Sequence, residues 1–266
     1  MSANTQKPAG FTIGDALSLT FRELTRRLGH YLPLMLLLSL PGLIVSLTSP
    51  IDPNFGASEP SPEQMAAFWS AFAVQAVVGL FAYGVIIGAF TYSVVSGLRG
   101  QDLSLGACLS SAVGRLHYVL PTLLIVGVII MLGSILLVVP GIIAALIFYV
   151  AASVAAAEGA WPGKALSRSQ FLTRGSRWSL LGLFLVQIAI SLVLVAVLSV
   201  VALALLGAQP AELASNPEKL ATYTTISMIV GLPFNAFFAM LPVTVYFLMS
   251  VEKDGRDLGD VEQVFN

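Results

Sequence analysis

The chain has 266 residues, of which 57% are hydrophobic and only 10% charged, and its net charge is −1. A soluble domain needs about 25% charged residues to cover its surface, so this composition excludes an ordinary soluble fold and makes lipid the solvent. The single Cys108 excludes an internal disulfide, and His30 and His117 alone cannot build a metal site, so no metal, cofactor or nucleic-acid partner is expected.

Residues 1–11 are polar, carry no secretory signal pattern and are expected to be disordered. Residues 12–250 read as one integral membrane domain and 251–266 as a cytoplasmic tail. The domain opens with an amphipathic stretch. At about 100° per residue, Ile13, Leu17, Phe21, Leu24 and Leu28 share a face, and Asp15, Ser18, Arg22 and Arg26 oppose them. Leu19 is the misfit. Thr12 and Asp15 have capping-box spacing, and Glu23 can pair with Arg27. This is the pattern of a helix lying in the headgroup plane.

Six segments then have the length and apolarity of membrane-crossing helices: 31–47, 66–97, 118–138, 141–157, 179–207 and 221–250. The predicted fold class is therefore all-α, a six-span transmembrane bundle with cytoplasmic interfacial helices. The first segment is short and interrupted by Pro41-Gly42, which points to a kink or a partly re-entrant path. Val139-Pro140-Gly141 reads as the tight turn between the third and fourth spans.

Three cytoplasmic segments resemble one another: Gly14-Asp15-Ala16-Leu17-Ser18, Gly106-Ala107-Cys108-Leu109-Ser110 and Gly163-Lys164-Ala165-Leu166-Ser167. Each precedes basic residues and a new span, so three repeated units, each an interfacial helix followed by a hairpin, are one reading of the organisation. In the second unit Leu105, Leu109, Ala112 and Leu116 share a face. In the third Ala165, Leu166, Ser169, Leu172 and Thr173 do, while Phe171 falls among the cations.

Of the thirteen cations, only Lys219 falls on the side that also carries Asp52, Glu59, Glu63, Glu212 and Glu218. Because basic loops resist translocation, the twelve on the other side place both termini in the cytoplasm.

The run VPGIIAALIFYVAASVAAAEG (139–159), followed by GKALSRSQFLTRG (163–175), resembles the integral membrane domain of glycerophosphoryl diester phosphodiesterases and the related YciC-type inner-membrane proteins. The catalytic half of such fusions has no counterpart in this chain. The resemblance therefore implies a bacterial, membrane-embedded, non-catalytic domain connected with phospholipids.

Candidate functional residues follow. Lys164, Arg168, Arg174 and Arg177 form a basic stretch that attracts anionic headgroups, in its sharper form with Arg168 and Arg174 forking a phosphate, or simply orients the chain. Glu158 belongs with these cations to the candidate headgroup set and is expected to pair with Arg168 or Arg174. No Asp, Glu, Lys or Arg lies in a span core, which disfavours ion coupling. Gln75, Gln187 and Asn235 are expected to make interhelical hydrogen bonds. His30 and His117 read as interfacial anchors. Gly84 and Gly88, with Ser227, Gly231, Asn235 and Ala239, form small-residue stripes for helix packing within the bundle, for self-association or for a groove beside the prolines. The expected function is non-enzymatic interaction with phospholipids. The alternatives are a transporter or channel, broken at Pro41 and Pro233, and an accessory subunit or scaffold of a membrane enzyme.

Overall fold

The computed structural model describes residues 11–48, 61–98, 104–207 and 216–254. These residues form α-helices: α1 (Ile13–Arg26), α2 (Leu28–Thr48), α3 (Pro62–Leu98), α4 (Leu105–Leu136), α5 (Val138–Ile147), α6 (Ala151–Glu158), α7 (Pro162–Thr173), α8 (Arg177–Leu206) and α9 (Pro217–Asp254). No strand occurs among the described residues. Six segments are long and apolar enough to cross a bilayer: α2, α3, α4, the α5–α6 pair, α8 and α9. The protein is an all-α six-span membrane bundle. Large apolar side chains such as Leu192, Val193 and Val195 on α8 cover its outside, as a lipid solvent requires. The expected disorder over 1–11 falls outside the described residues except for Phe11, whose N–H donates to Glu252 at 3.0 Å.

Small residues at the centre let the helices approach closely. Without a hydrophobic drive between helices in lipid, this close packing is what holds them together. Every residue from Ala151 to Ala157 in α6 is buried, and α6 lies against α3, α4, α7 and α9. Gly88 of α3 faces the backbone of Ala112, where an added Cβ would come within 2.9 Å of Ala112 Cα. Gly84, one turn away, faces Leu116 and Leu120 of α4.

Three boundaries differ from the sequence reading. The bend between the third and fourth spans is at Leu137, not at Val139-Pro140-Gly141. Pro140 and Gly141 instead occupy the first turn of α5, where proline's missing N–H is harmless. Gly141 packs so tightly on Ser134 that any side chain there would overlap it. In addition, the second amphipathic segment is no separate helix, because α4 runs unbroken from Leu105 into the third span. The first span is helical throughout Leu28–Thr48 despite Pro33 and Pro41. The helix also continues past the end expected for the sixth span, reaching Asp254, while 255–266 lie outside the described residues.

The buried side of α1 is rotated from the predicted one. Ala16, Thr20 and Leu24 are buried, and Phe21 is exposed. The reason is the contact with α9: Thr20 and Thr244 share a hydrogen bond of 2.7 Å, which only small side chains permit at that spacing. Thr12 caps α1 by accepting from the Asp15 N–H at 3.1 Å. The second segment is rotated likewise, with Cys108 and Ala112 buried and Leu105 exposed.

The fourth span breaks between α5 and α6. Ala151 N–H donates to Phe148, so the Ile147 carbonyl loses its usual partner. Ser169 (2.9 Å) and Thr173 (3.2 Å) of α7 donate their hydroxyls to that carbonyl. The arc Ala165, Ser169, Leu172 and Thr173 is buried, so α7 is docked onto the break as part of the bundle. Phe171, the misfit, is exposed under the Arg168 guanidinium, 5.6 Å from its ring centroid.

Candidate functional site

The starts of α1, α4 and α8, the ends of α3, α6 and α9, and the whole of α7 gather at one end of the bundle. Its most connected polar group is Arg168. Nε donates to Glu158 at 3.1 Å, Nη1 to Asp254 at 3.0 Å, and Nη2 to the second Asp254 oxygen in a still shorter contact. The Tyr246 hydroxyl donates to the same Glu158 oxygen at 3.0 Å. All three charged side chains are largely shielded, being 22%, 23% and 14% exposed for Arg168, Glu158 and Asp254. Burial alone would lower the Arg168 pKa, but the hydrogen bonds to Asp254 and the charge of Glu158 outweigh it. The guanidinium is held above its ordinary value and stays charged.

Of the residues expected to meet headgroups, Glu158 and Arg168 are therefore paired with each other. The fork that would hold a phosphate is occupied by Asp254. Lys164 and Arg174 are exposed. Arg177, at the start of α8, is half-buried, and its Nε has no hydrogen-bond partner among the described residues. On α1, Arg22 and Arg26 are exposed. Exposed aromatic residues stand among these cations: Phe21, Trp161, Phe171 and Trp178. Of the cations read as cytoplasmic, Lys7, Arg99 and Arg256 lie outside the described residues.

Two other arginines reach carbonyls of neighbouring helices. Arg27 donates to the Ser93 carbonyl (3.3 Å) inside α3, and Arg115 to the Ala157 carbonyl (3.4 Å) at the end of α6. A cation beside the last carbonyls suits the negative end of a helix. Gly159 is fixed by this arrangement: its φ is +58°, and a Cβ would lie 2.8 Å from Arg115 Nη1. Exposed His117 packs on Tyr118, whose ring meets Trp161 edge-on at 5.4 Å. His30 is also exposed. Among the described residues, no group of three His, Cys, Asp or Glu side chains converges as a metal site would require.

A second feature lies in mid-span. A cavity of about 710 Å³ opens between α2, α3 and α9, reaching α8 at Gln187. Its polar lining is Ser39, Gln75, Tyr83, Gln187, Thr224 and Asn235, with no charged residue among its walls. A smaller cavity of about 240 Å³ adjoins it through Tyr83, Gln187 and Phe238. Gln187 accepts a long hydrogen bond, 3.4 Å, from Tyr149. Gln75 and Asn235 make no side-chain hydrogen bond among the described residues, so the interhelical bonds expected of these amides are absent for two of the three. Gly231 is buried beside Asn235, and the Ser227 hydroxyl, also buried, has no partner among the described residues.

Sequence reasoning found the Glu158–Arg168 pair but missed Asp254 and Tyr246. It also found the three amides without their convergence. Comparison with known proteins finds no protein-family model, no curated protein and no solved structure that matches this chain.

Proposed function

We propose that this six-span membrane protein has no catalytic activity of its own and interacts with anionic phospholipids at the cytoplasmic leaflet of a bacterial inner membrane, with both termini in the cytoplasm. One observation carries this reading: Arg22, Arg26, Lys164 and Arg174 are exposed at one end of the bundle, interleaved with exposed Phe21, Trp161, Phe171 and Trp178. Aromatic rings favour the headgroup level, and each basic residue near an anionic surface contributes about 1 kcal/mol of attraction. Arg168 has a different task here, tying α7 to α6 and α9. Phosphate contact passes to Arg174 and Arg177 around the first turn of α8, whose backbone N–H groups favour an anion, and to Lys164 in the first turn of α7. Kinship with the membrane domain of glycerophosphoryl diester phosphodiesterases belongs to the same proposal and rests on residues 139–175 and on the six-span plan.

The test is lipid retention by the detergent-purified protein in native mass spectrometry, with phosphatidylglycerol and phosphatidylcholine supplied equally. Preferential retention of phosphatidylglycerol, reduced several-fold by Lys164→Ala plus Arg174→Ala, is expected. Equal retention of both lipids, unchanged in the double variant, would overturn the reading.

Passage of a small solute or lipid is a second reading, favoured by the mid-span cavity beside Pro41 and Pro233. The accessory-subunit reading draws no support from Gly84 and Gly88, which are used within the bundle against α4.

A further inference from the structure

The cavity between α2, α3 and α9 presents an unsolved polar problem. Asn235 stands midway along α9, and Gln75 lies about 20 Å along α3 from its start, by the rise of an α-helix. At that depth hydrocarbon offers amides no partner, and an unsatisfied amide is strongly disfavoured. Yet both side chains are exposed, both face the same cavity, and neither has a hydrogen-bond partner among the described residues. Gln75 Nε2 lies over Gly42, where an added Cβ would approach to 3.2 Å, so the glycine after Pro41 makes room for the amide. The volume falls within the roughly 300–1,000 Å³ typical of small-molecule sites.

From this geometry we infer that the cavity binds a neutral acylglycerol that enters sideways from the bilayer, with its chain against the apolar wall and its ester or hydroxyl groups on Gln75 and Asn235. Leu38, Met228 and Phe238 supply apolar wall. An amide offers both a donor and an acceptor, which matches an ester carbonyl and a hydroxyl together. The absence of charged lining residues excludes an ionic headgroup at this depth. Val74 and Val77 beside Gln75, and Phe234 beside Asn235, are exposed apolar side chains, which puts the entry on the lipid side. This site stands on residues separate from the basic end, so either assignment can fail without the other.

The experiment uses the full chain in phosphatidylcholine nanodiscs and photo-crosslinking, with labelled peptides located by mass spectrometry. Three diazirine probes are compared: a monoacylglycerol, a plain alkane and a phosphatidylglycerol. The monoacylglycerol is expected to label 35–43, 75–86 and 224–239 at least about fivefold over the outer face of α8, a preference of about 1 kcal/mol. Two variants remove the site differently. Gly79→Leu fills the cavity, because a Cβ at this lining glycine meets nothing within 4 Å and leucine favours helix. Gln75→Leu plus Asn235→Leu removes the amides without adding charge. Both should bring cavity labelling down to the level of α8.

Uniform labelling, equal labelling by the alkane, or cavity labelling that survives in the amide double variant would overturn the assignment. Preferential labelling by the phosphatidylglycerol would do so too. Should Gly79→Leu fail to fold, the amide variant decides alone.

Discussion

Arg168 grips both carboxylate oxygens of Asp254, 86 residues further along the chain, while its Nε holds Glu158. The first of these contacts joins α7 to the last turn of α9; the second joins α7 to the end of α6. Two consecutive helices and a third far along the chain are thereby clamped by one side chain, at the end of the bundle where most described cations lie. A guanidinium suits this role because its planar donors match a carboxylate in pairs and remain charged.

Removing the clamp should therefore loosen the bundle. Arg168→Met is expected to lose about 2–3 kcal/mol, since Asp254 and Glu158, both shielded, would lose the guanidinium hydrogen bonds. Arg168→Lys should restore only a minor part, because an ammonium cannot serve Asp254 and Glu158 in the same plane. Chemical denaturation in detergent measures both variants. Equal stability of the wild type and Arg168→Met would refute the clamp.

The sign of the pH dependence follows from the raised Arg168 pKa. A cation whose folded pKa exceeds its unfolded value contributes its full stabilisation below the unfolded pKa and loses it only as pH rises through the folded one. Both lie above the ordinary working range. The difference in melting temperature between wild type and Arg168→Met should thus stay constant from about pH 7 to about pH 10. A difference that shrinks over this interval would show that another, titrating group holds the carboxylates.

Packing makes a third prediction. Gly88→Ala pushes a methyl group to within 2.9 Å of the Ala112 backbone and should cost about 1–3 kcal/mol. Gly127→Ala meets nothing within 4 Å and should be neutral or stabilising by up to about 1 kcal/mol. Thermal midpoints in detergent will separate the two, and equal effects would contradict the α3–α4 contact.

What could be read from the sequence was what depends on local pattern. Six apolar stretches announce six spans because lipid leaves the chain few alternatives. Glu158 and Arg168 could be paired because they are only ten residues apart, on either side of a glycine and a proline. Asp254 could not, because nothing in the order of residues says that the end of α9 returns to α7. Phe21 was misassigned because size was weighed above fit: Ala16 and Thr20 are the residues that allow α1 close to α9. Gln75, Gln187 and Asn235 each look like an isolated amide on its own helix. Their meeting at one cavity is a property of the assembled bundle alone.

The basic end can be located directly, because the native Cys108 is buried and should be silent to thiol reagents. Single cysteines at Lys164, Arg174 and Lys219, treated in intact cells with a membrane-impermeant maleimide, test the orientation on which the phospholipid reading depends. Labelling at position 219 alone, with positions 164 and 174 reacting only after the membrane is opened, is the predicted result. Labelling of 164 or 174 from outside intact cells would contradict it.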